Sequence, residues 1–385
     1  MRRVFIISAK RTPQGRFLGS LSKLSAVDLA VAAGKSALSY CNRPELIHDI
    51  DETIIGNVLS AGQGMNIARQ IAIGLGLPQQ SPAFTVNMMC ASGMKAIMLG
   101  CDAIRSGSAN LVLCGGTESM SQAPYLLPRV RSGLKFGDAV MLDSILKDGL
   151  VDAFNQQHMG LTAERLADDL KITREAQDEF ACLSQLRASK AIETGVFENE
   201  IIPVAGLKRD EHLRPDTTIE SLAQLKPAFD SNGTVTAGNA SGINDGASTV
   251  LLASESYIEK MNLKPMAKII DYNVIGCDPA RMGLGPVHGI NHLLNRQQLK
   301  LNQMDLIEIN EAFSAQVLAC LIQLNLNPSD INNHGGSIAL GHPIGASGAR
   351  LVVHLAHQIS IGNSRMSLAS LCVGGGMGAA MLLEP

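Results

Sequence analysis

Ala91-Ser92-Gly93 opens a helical pattern, with Met94, Ile97, Met98, Cys101 and Ile104 recurring at one-face spacing, and then reaches the strand-like Leu111-Val112-Leu113-Cys114 and the pair Gly115-Gly116. The same succession returns near the other end of the chain. Ala346-Ser347-Gly348 precedes Leu351, Val352, Leu355 and Ile359, and then a strand ending at Cys372-Val373 before Gly374-Gly375. Upstream of each copy an apolar run ends in asparagine, Ile54-Ile55-Gly56-Asn57 and Ile307-Glu308-Ile309-Asn310, at closely similar distances. Order, element type and spacing agree, so one α/β unit is read as occurring twice. Strands alternating with helices in this way predict an α/β fold with parallel or mixed sheets covered on both faces.

Between the copies the composition shifts toward charge and helix. Thr173 is an N-cap, Ala176, Phe180, Leu183 and Leu186 form an apolar stripe, and Gly195 is a stop. We read residues 1–117 with 244–266 as an N-terminal α/β half, 118–243 as an inserted loop domain, and 267–385 as a C-terminal α/β half. Ser248-Thr249-Val250-Leu251-Leu252 is the strand that returns the chain to the first half.

With 385 residues, 46% of them hydrophobic, the chain can build large cores. A net charge of −3 with scattered Lys and Arg offers no footprint for nucleic acid. Val4-Phe5-Ile6-Ile7 is too short for a signal-peptide core and reads as an opening strand over Met1 to Lys10. Met366 to Leu383 is uncharged but glycine-interrupted, which fits strand, turn and strand rather than a membrane span. These features predict a cytoplasmic protein without a membrane partner. The 8 cysteines, with no C-x-x-C pair, predict free thiols, and Cys41, Cys101, Cys182 and Cys320 read as small buried hydrophobes. No metal-ligand spacing is present, so no metal site is expected.

Cys90 follows the strand-like Phe84-Thr85-Val86 and directly precedes a helix, where unpaired N–H groups and the macrodipole favour a thiolate. His342 lies in a Gly/Pro-bounded loop at a sheet end, suited to a general base or oxyanion donor, whereas His354 and His357 read as incidental. Asn310, in Asn310-Glu311-Ala312-Phe313, has a donor and an acceptor with which to hold a water, or it is a simple helix cap. Gly374, Gly376 and Ala379 match G-x-G-x-x-A, yet too little chain follows for a dinucleotide unit. A glycine turn exposing Cys372 and offering N–H groups is the better account. Gly34-Lys35-Ser36 lacks the first glycine of a phosphate loop and reads as helix surface.

Over essentially its whole length the chain resembles the thiolase family. The resemblance rests on the Cys90 turn, Ala237 to Gly246, Asn310-Glu311-Ala312-Phe313, the His342 loop and the Cys372 glycine turn. It implies a duplicated five-layered αβαβα fold with an inserted loop domain, assembled as a homotetramer, and no cofactor, coenzyme A thioester being the substrate. It implies reversible condensation of two acetyl-CoA to acetoacetyl-CoA and CoA through an acetyl-cysteine. Cys90 would be the nucleophile, His342 its activator and Cys372 the acid/base. The N–H groups of Cys90 and Gly374 would form one oxyanion hole, and His342 with an Asn310-held water the other. The family pattern places Leu150, His158, Met159, Ala237, Ala240, Ser241, Ala312 and Phe313 along the pantetheine arm, Arg214 near the nucleotide and Met282 at the acyl end. His158-Met159-Gly160 is similar to short-chain members. Arg129, Arg131 and Lys135 are further candidates for phosphate attraction. Met88-Met89 and His334 depart from the family pattern and bear on substrate preference. The competing classes are a decarboxylating ketoacyl synthase and a non-catalytic acyl-CoA carrier on the same fold.

Overall fold

The computed structural model describes residues 2–40 and 43–385; Met1 and Cys41 lie outside the described residues. Strand β1 (Val4–Arg11) is followed by the short β2 (Gly15–Arg16) and helix α1 (Ala26–Tyr40). Then come β3 (Glu52–Gly56), α2 (Ile67–Gly74), β4 (Ala83–Val86), α3 (Ser92–Ser106) and β5 (Leu111–Ser119). The next stretch holds the hairpin of β6 (Tyr125–Leu126) and β7 (Leu142–Asp143), then α4 (Met159–Leu170), α5 (Arg174–Glu193) and α6 (Ile219–Ala223). It is followed by β8 (Asn244–Ser254), α7 (Glu255–Met261), β9 (Ala267–Gly276), α8 (Gly285–Gln297) and β10 (Leu306–Ile309). The chain finishes with α9 (Ser314–Leu324), α10 (Ser337–Leu340), α11 (Ile344–Ser360) and the pair β11 (Ser367–Val373) and β12 (Met377–Glu384).

The main strands run in the order β4-β3-β5-β8-β1-β9-β12-β11-β10, with β2 on β8. β3 is parallel to β4 and β5, and β10 is parallel to β11. The strand pairing of the two halves is joined where Val4 to Ile6 of β1 pair with β9. Side-chain alternation then builds the layers. Leu111, Leu113 and Leu251 point to α1 and α2, while Val112, Cys114, Val250 and Leu252 share a core with α3 and α11. From the second half Ala369, Leu371, Ala379 and Met381 enter that same core, and Leu368, Ala380 and Leu382 face α8 and α9. Helix layers therefore lie outside each half-sheet and between the two. α11 is buried from Ile344 to Ile359, as a helix enclosed on all sides must be.

The repeated Ala-Ser-Gly has a packing reason. A Cβ on Gly93 would lie 2.9 Å from the Ala349 Cβ, and one on Gly348 would lie 2.9 Å from the Met94 Cβ, so each glycine admits the other repeat's helix. Gly93→Ala should raise intrinsic helix propensity by about 1 kcal/mol yet destabilise the protein, because overpacking such a crossing costs about 1–3 kcal/mol. A lowered urea midpoint with an unchanged slope would show it.

Strand pairing corrects the register of the echo. Gly56 pairs with Gly116 just before Asn57, and Ile309 pairs with Ser370 just before Asn310. The counterpart of Cys372 is therefore Glu118, not Cys114, which is sealed in the central core.

Helix α5 has its Thr173 cap, which accepts from the Ala176 N–H, and Gly195 follows its end at φ +74°. Of its apolar stripe Phe180 is buried and Ala176 and Leu183 are half-buried, but Leu186 is 66% exposed. The buried positions include Gln177, Asp178, Ser184 and Gln185, which bond to neighbouring loops. His354 and His357 are not incidental. Both are buried on α11, His354 against Glu200 and His357 against the Ala9 carbonyl. The described cysteines are free thiols, with Cys101 and Cys320 buried and Cys182 partly exposed. Gly34 lies inside α1 against Leu75, with Lys35 exposed beside it. No helix among the described residues is long and apolar enough to cross a membrane, and none of their His, Cys, Asp and Glu groupings could hold a metal ion.

Candidate active site

Cys90 sits at the end of a tight turn between β4 and α3. Met89 is held at φ +47°, an uncommon conformation for a side chain of its size. The Met89 N–H bonds to Asn87 Oδ1, while Ser92 Oγ accepts from the Met88 N–H and donates to the Met89 carbonyl. These bonds offset the strain and fix the thiol beside the cavity. The helix terminus does not yield a resting thiolate as expected. Burial pushes the Cys90 thiol up to about 11, outweighing donation from the Gly374 and Cys90 N–H groups, with Glu118 adding to the rise. Both of those N–H groups nonetheless point at the sulfur. Alkylation of Cys90 by iodoacetamide should therefore accelerate about tenfold per pH unit from pH 7 toward 10. Peptide mass mapping checks this; a plateau below pH 8 would reveal a preformed thiolate.

The His342 loop is tied at several points. The His342 N–H donates to Asn244 Oδ1, whose Nδ2 donates to the Gly15 carbonyl. The Gly345 N–H donates to Glu118, which also accepts from Asn57 Nδ2 and the N–H groups of Val58 and Leu59. Even so, burial lifts the Glu118 carboxyl to about 7. His342 Nδ1 lies 2.6 Å from Ser347 Oγ, which donates its proton to the Pro343 carbonyl at 2.8 Å. Nδ1 must then carry the hydrogen, leaving Nε2 with a free lone pair. Burial, with Arg350 adding, pulls His342 down to about 4, so this imidazole rests neutral.

Cys372 is the last residue but one of β11, ahead of a turn in which Gly375 and Gly376 adopt φ +86° and +84°. This hairpin removes the dinucleotide reading, because a strand and not a helix follows the glycines. Burial raises the Cys372 thiol well above its usual value, and the next contribution is charge on Cys90. The two sulfurs are close enough that one thiolate opposes the other.

Asn310 is fully buried and is no helix cap, since α9 begins at Ser314 after Phe313. Neighbouring Glu311 accepts from Ser184, Asn332 and the Ile338 N–H, which anchors the loop. The segment from Ala237 docks on it: Ala240 bridges Phe313, and the Ser241 N–H donates to the Ala312 carbonyl.

Cys90, His342, Cys372 and Gly374 all line one cavity of about 540 Å³, together with Leu150, His158, Met159, Arg214, Ala237, Ala240, Ser241, Met282, Ala312 and Phe313. Asn310 is not part of that lining; it is fully buried, and its Nδ2 has no protein partner. Arg129, Arg131 and Lys135 are exposed and outside this lining; the arginines that line the cavity are Arg16 and Arg214. Arg16 and Phe17 escaped sequence reading because pairing of β2 on β8 brings them in. Phe229 escaped as well; it stacks on His158 at 4.5 Å. A base with a free lone pair, two thiols that exclude each other's charge, and two N–H donors at one sulfur can perform thioester exchange and proton abstraction.

Comparison with known proteins gives this arrangement its context. The model of the thiolase N-terminal domain matches residues 4–256, and that of the thiolase C-terminal domain matches residues 263–385. The chain belongs to the thiolase family. Among thiolase relatives, an acetyl-CoA acetyltransferase of Cupriavidus necator is 47% identical over 394 residues, covering 100% of both chains. A mitochondrial 3-ketoacyl-CoA thiolase of Bos taurus is 44% identical over 394 residues, covering 100% of this chain and 98% of that one. The crystal structure of human mitochondrial 3-ketoacyl-CoA thiolase in complex with CoA superposes with a TM-score of 0.96 at 44% identity, covering 100% of this chain and 98% of that chain. The thiolase fold and acyltransferase class follow for this protein.

Proposed function

We propose that the protein is an acetyl-CoA C-acetyltransferase, condensing two acetyl-CoA reversibly to acetoacetyl-CoA and CoA through an acetylated Cys90. The observation that carries this reading is the convergence of Cys90, His342, Cys372 and Gly374 on one cavity. The Cys90 proton passes to His342 Nε2 as the sulfur attacks the acetyl carbonyl, whose developing negative charge is received by the Cys90 and Gly374 N–H groups. CoA leaves with the Cys372 proton. The site then holds acetyl-Cys90, an imidazolium and a Cys372 thiolate. That thiolate removes an α-proton from the second acetyl-CoA, and the enolate oxygen is met by His342 Nε2–H and a water on Asn310 Nδ2. The carbanion attacks acetyl-Cys90, and the departing Cys90 sulfur recovers its proton from His342. Acetyl transfer between CoA and Cys90 exchanges one thioester for another, so that half-reaction runs readily in either direction, while the carbon-carbon step exchanges the Cys90 thioester for a ketone and is reversed by thiolysis; no metal or prosthetic group enters either step.

Leu150, His158, Met159, Ala237, Ala240, Ser241, Ala312 and Phe313 would line the pantetheine arm, with Arg214 and Arg16 toward the phosphates. The packing of Met89, Met120, Leu150 and Ile344 around Cys90 supports a short acyl group. The likeness to 3-ketoacyl-CoA thiolases supports a second reading, cleavage of longer 3-ketoacyl-CoAs. Relative kcat/KM for thiolysis of acetoacetyl-CoA and 3-ketohexanoyl-CoA decides between them: the acetyltransferase reading requires the shorter substrate to win. A homotetramer is part of the proposal. It is supported by exposed Tyr125, Leu134, Phe136, Val140 and Met141 around the β6–β7 hairpin and by Phe84 on edge strand β4.

A further inference from the structure

The protein treats the two ends of the Asn310 amide differently. Oδ1 accepts a hydrogen bond from Ser337 Oγ at 2.7 Å, while the buried Nδ2 has no protein partner. Behind Ser337, Arg350 Nη2 approaches the hydroxyl oxygen at 3.5 Å, and Arg350 Nη1 is paired with Glu308 at 3.2 Å. All four side chains are buried, on β10, α10, α11 and the residue after β10.

A serine hydroxyl has one proton to give. With the Arg350 guanidinium directed at the Ser337 oxygen, that proton goes to Asn310 Oδ1. Turning the amide over would set two donors against the hydroxyl and leave its own proton without an acceptor. The amide is thus fixed with its NH2 turned away from Ser337. Geometry of this kind matters because a donor contributes to stabilising developing charge only if it is oriented before the charge appears.

We infer that Ser337, backed by the Arg350–Glu308 pair, is a positioning residue that locks the Asn310 amide so that Nδ2 holds the water facing the enolate oxygen. The inference rests on the function proposed above and deepens it, because it assigns Ser337 to one half of the reaction only. Acetyl transfer between CoA and Cys90 uses the Cys90 and Gly374 N–H groups and does not need Asn310. Breaking or making the carbon-carbon bond does.

The test compares wild type, Ser337→Ala, Asn310→Ala and the double variant in two assays, exchange of labelled CoA into acetyl-CoA and thiolysis of acetoacetyl-CoA. Loss of an oriented oxyanion donor costs about 10²–10³ in rate. Since Ser337→Ala leaves the donor present but free to turn, thiolysis should fall by about tenfold or more. Exchange should stay at the wild-type rate, which also reports an intact fold. The double variant should be no slower in thiolysis than Asn310→Ala alone, as expected when one residue acts through the other. Equal losses in both assays, unchanged thiolysis in Ser337→Ala, or a further loss on the Asn310→Ala background would overturn the role of Ser337. Wild-type protein that neither exchanges nor cleaves would instead remove the function on which the inference stands.

Discussion

Cys90→Ser is expected to abolish acetyl-enzyme formation and to lower condensation and thiolysis by about 10⁴-fold or more, the scale seen when a covalent nucleophile is lost. An alcohol is a far weaker acid than a thiol, and His342, already drawn down to about 4 by burial and Arg350, is too weak a base to compensate. Any ester that did form would lie below the thioester level at which acetyl transfer between CoA and Cys90 is balanced. The substitution exchanges one small atom for another in a residue next to a helix start, so the fold should survive. Unchanged circular dichroism and retained CoA binding, with no turnover, is the expected combination. A Cys90→Ser protein with more than a few per cent of wild-type activity would mean that the acyl group is carried elsewhere.

Cys372→Ala should separate the two half-reactions. Cys90 would still take an acetyl group, more slowly because the departing CoA loses its proton donor, a loss of about 10²–10⁴-fold. Condensation would fall below detection, because the α-proton of the second acetyl-CoA has no base. The acetyl-enzyme should therefore accumulate on acetyl-CoA and be discharged by added CoA without any acetoacetyl-CoA appearing. A Cys372→Ala enzyme that condenses at wild-type rate would place the base on another group.

Much of this site is legible in the sequence. The chemistry-bearing residues stand in short, glycine-punctuated motifs, and glycine at a turn or crossing reports a backbone need that cannot be met otherwise. Gly93 and Gly348, found as an echo, turn out to be the contact between the two central helices. What escaped was set by pairing between distant segments. The echo aligned Cys114 with Cys372 because both precede glycine, but strand register makes Glu118 the counterpart. Arg16 reaches the cavity through a two-residue strand whose sequence carries no strand signal. Leu186 departs from its stripe for a related reason: α5 keeps Phe180 inside but also buries Ser184 and Gln185, which hold Glu311 and the Arg214 backbone, and this leaves Leu186 facing out. The thiolate expected at Cys90 was wrong in sign, since a helix terminus acts over one turn whereas desolvation acts on the whole thiol.

One measurement bears most directly on the central claim that an acyl group passes through Cys90. Wild-type enzyme is exposed to acetyl-CoA, quenched in acid, and examined by intact-mass and peptide mass spectrometry. The account predicts a single acetyl group on the peptide carrying Cys90, lost again when CoA is added before the quench. An unmodified protein, or an acetyl group on any other residue with Cys90 free, would contradict it.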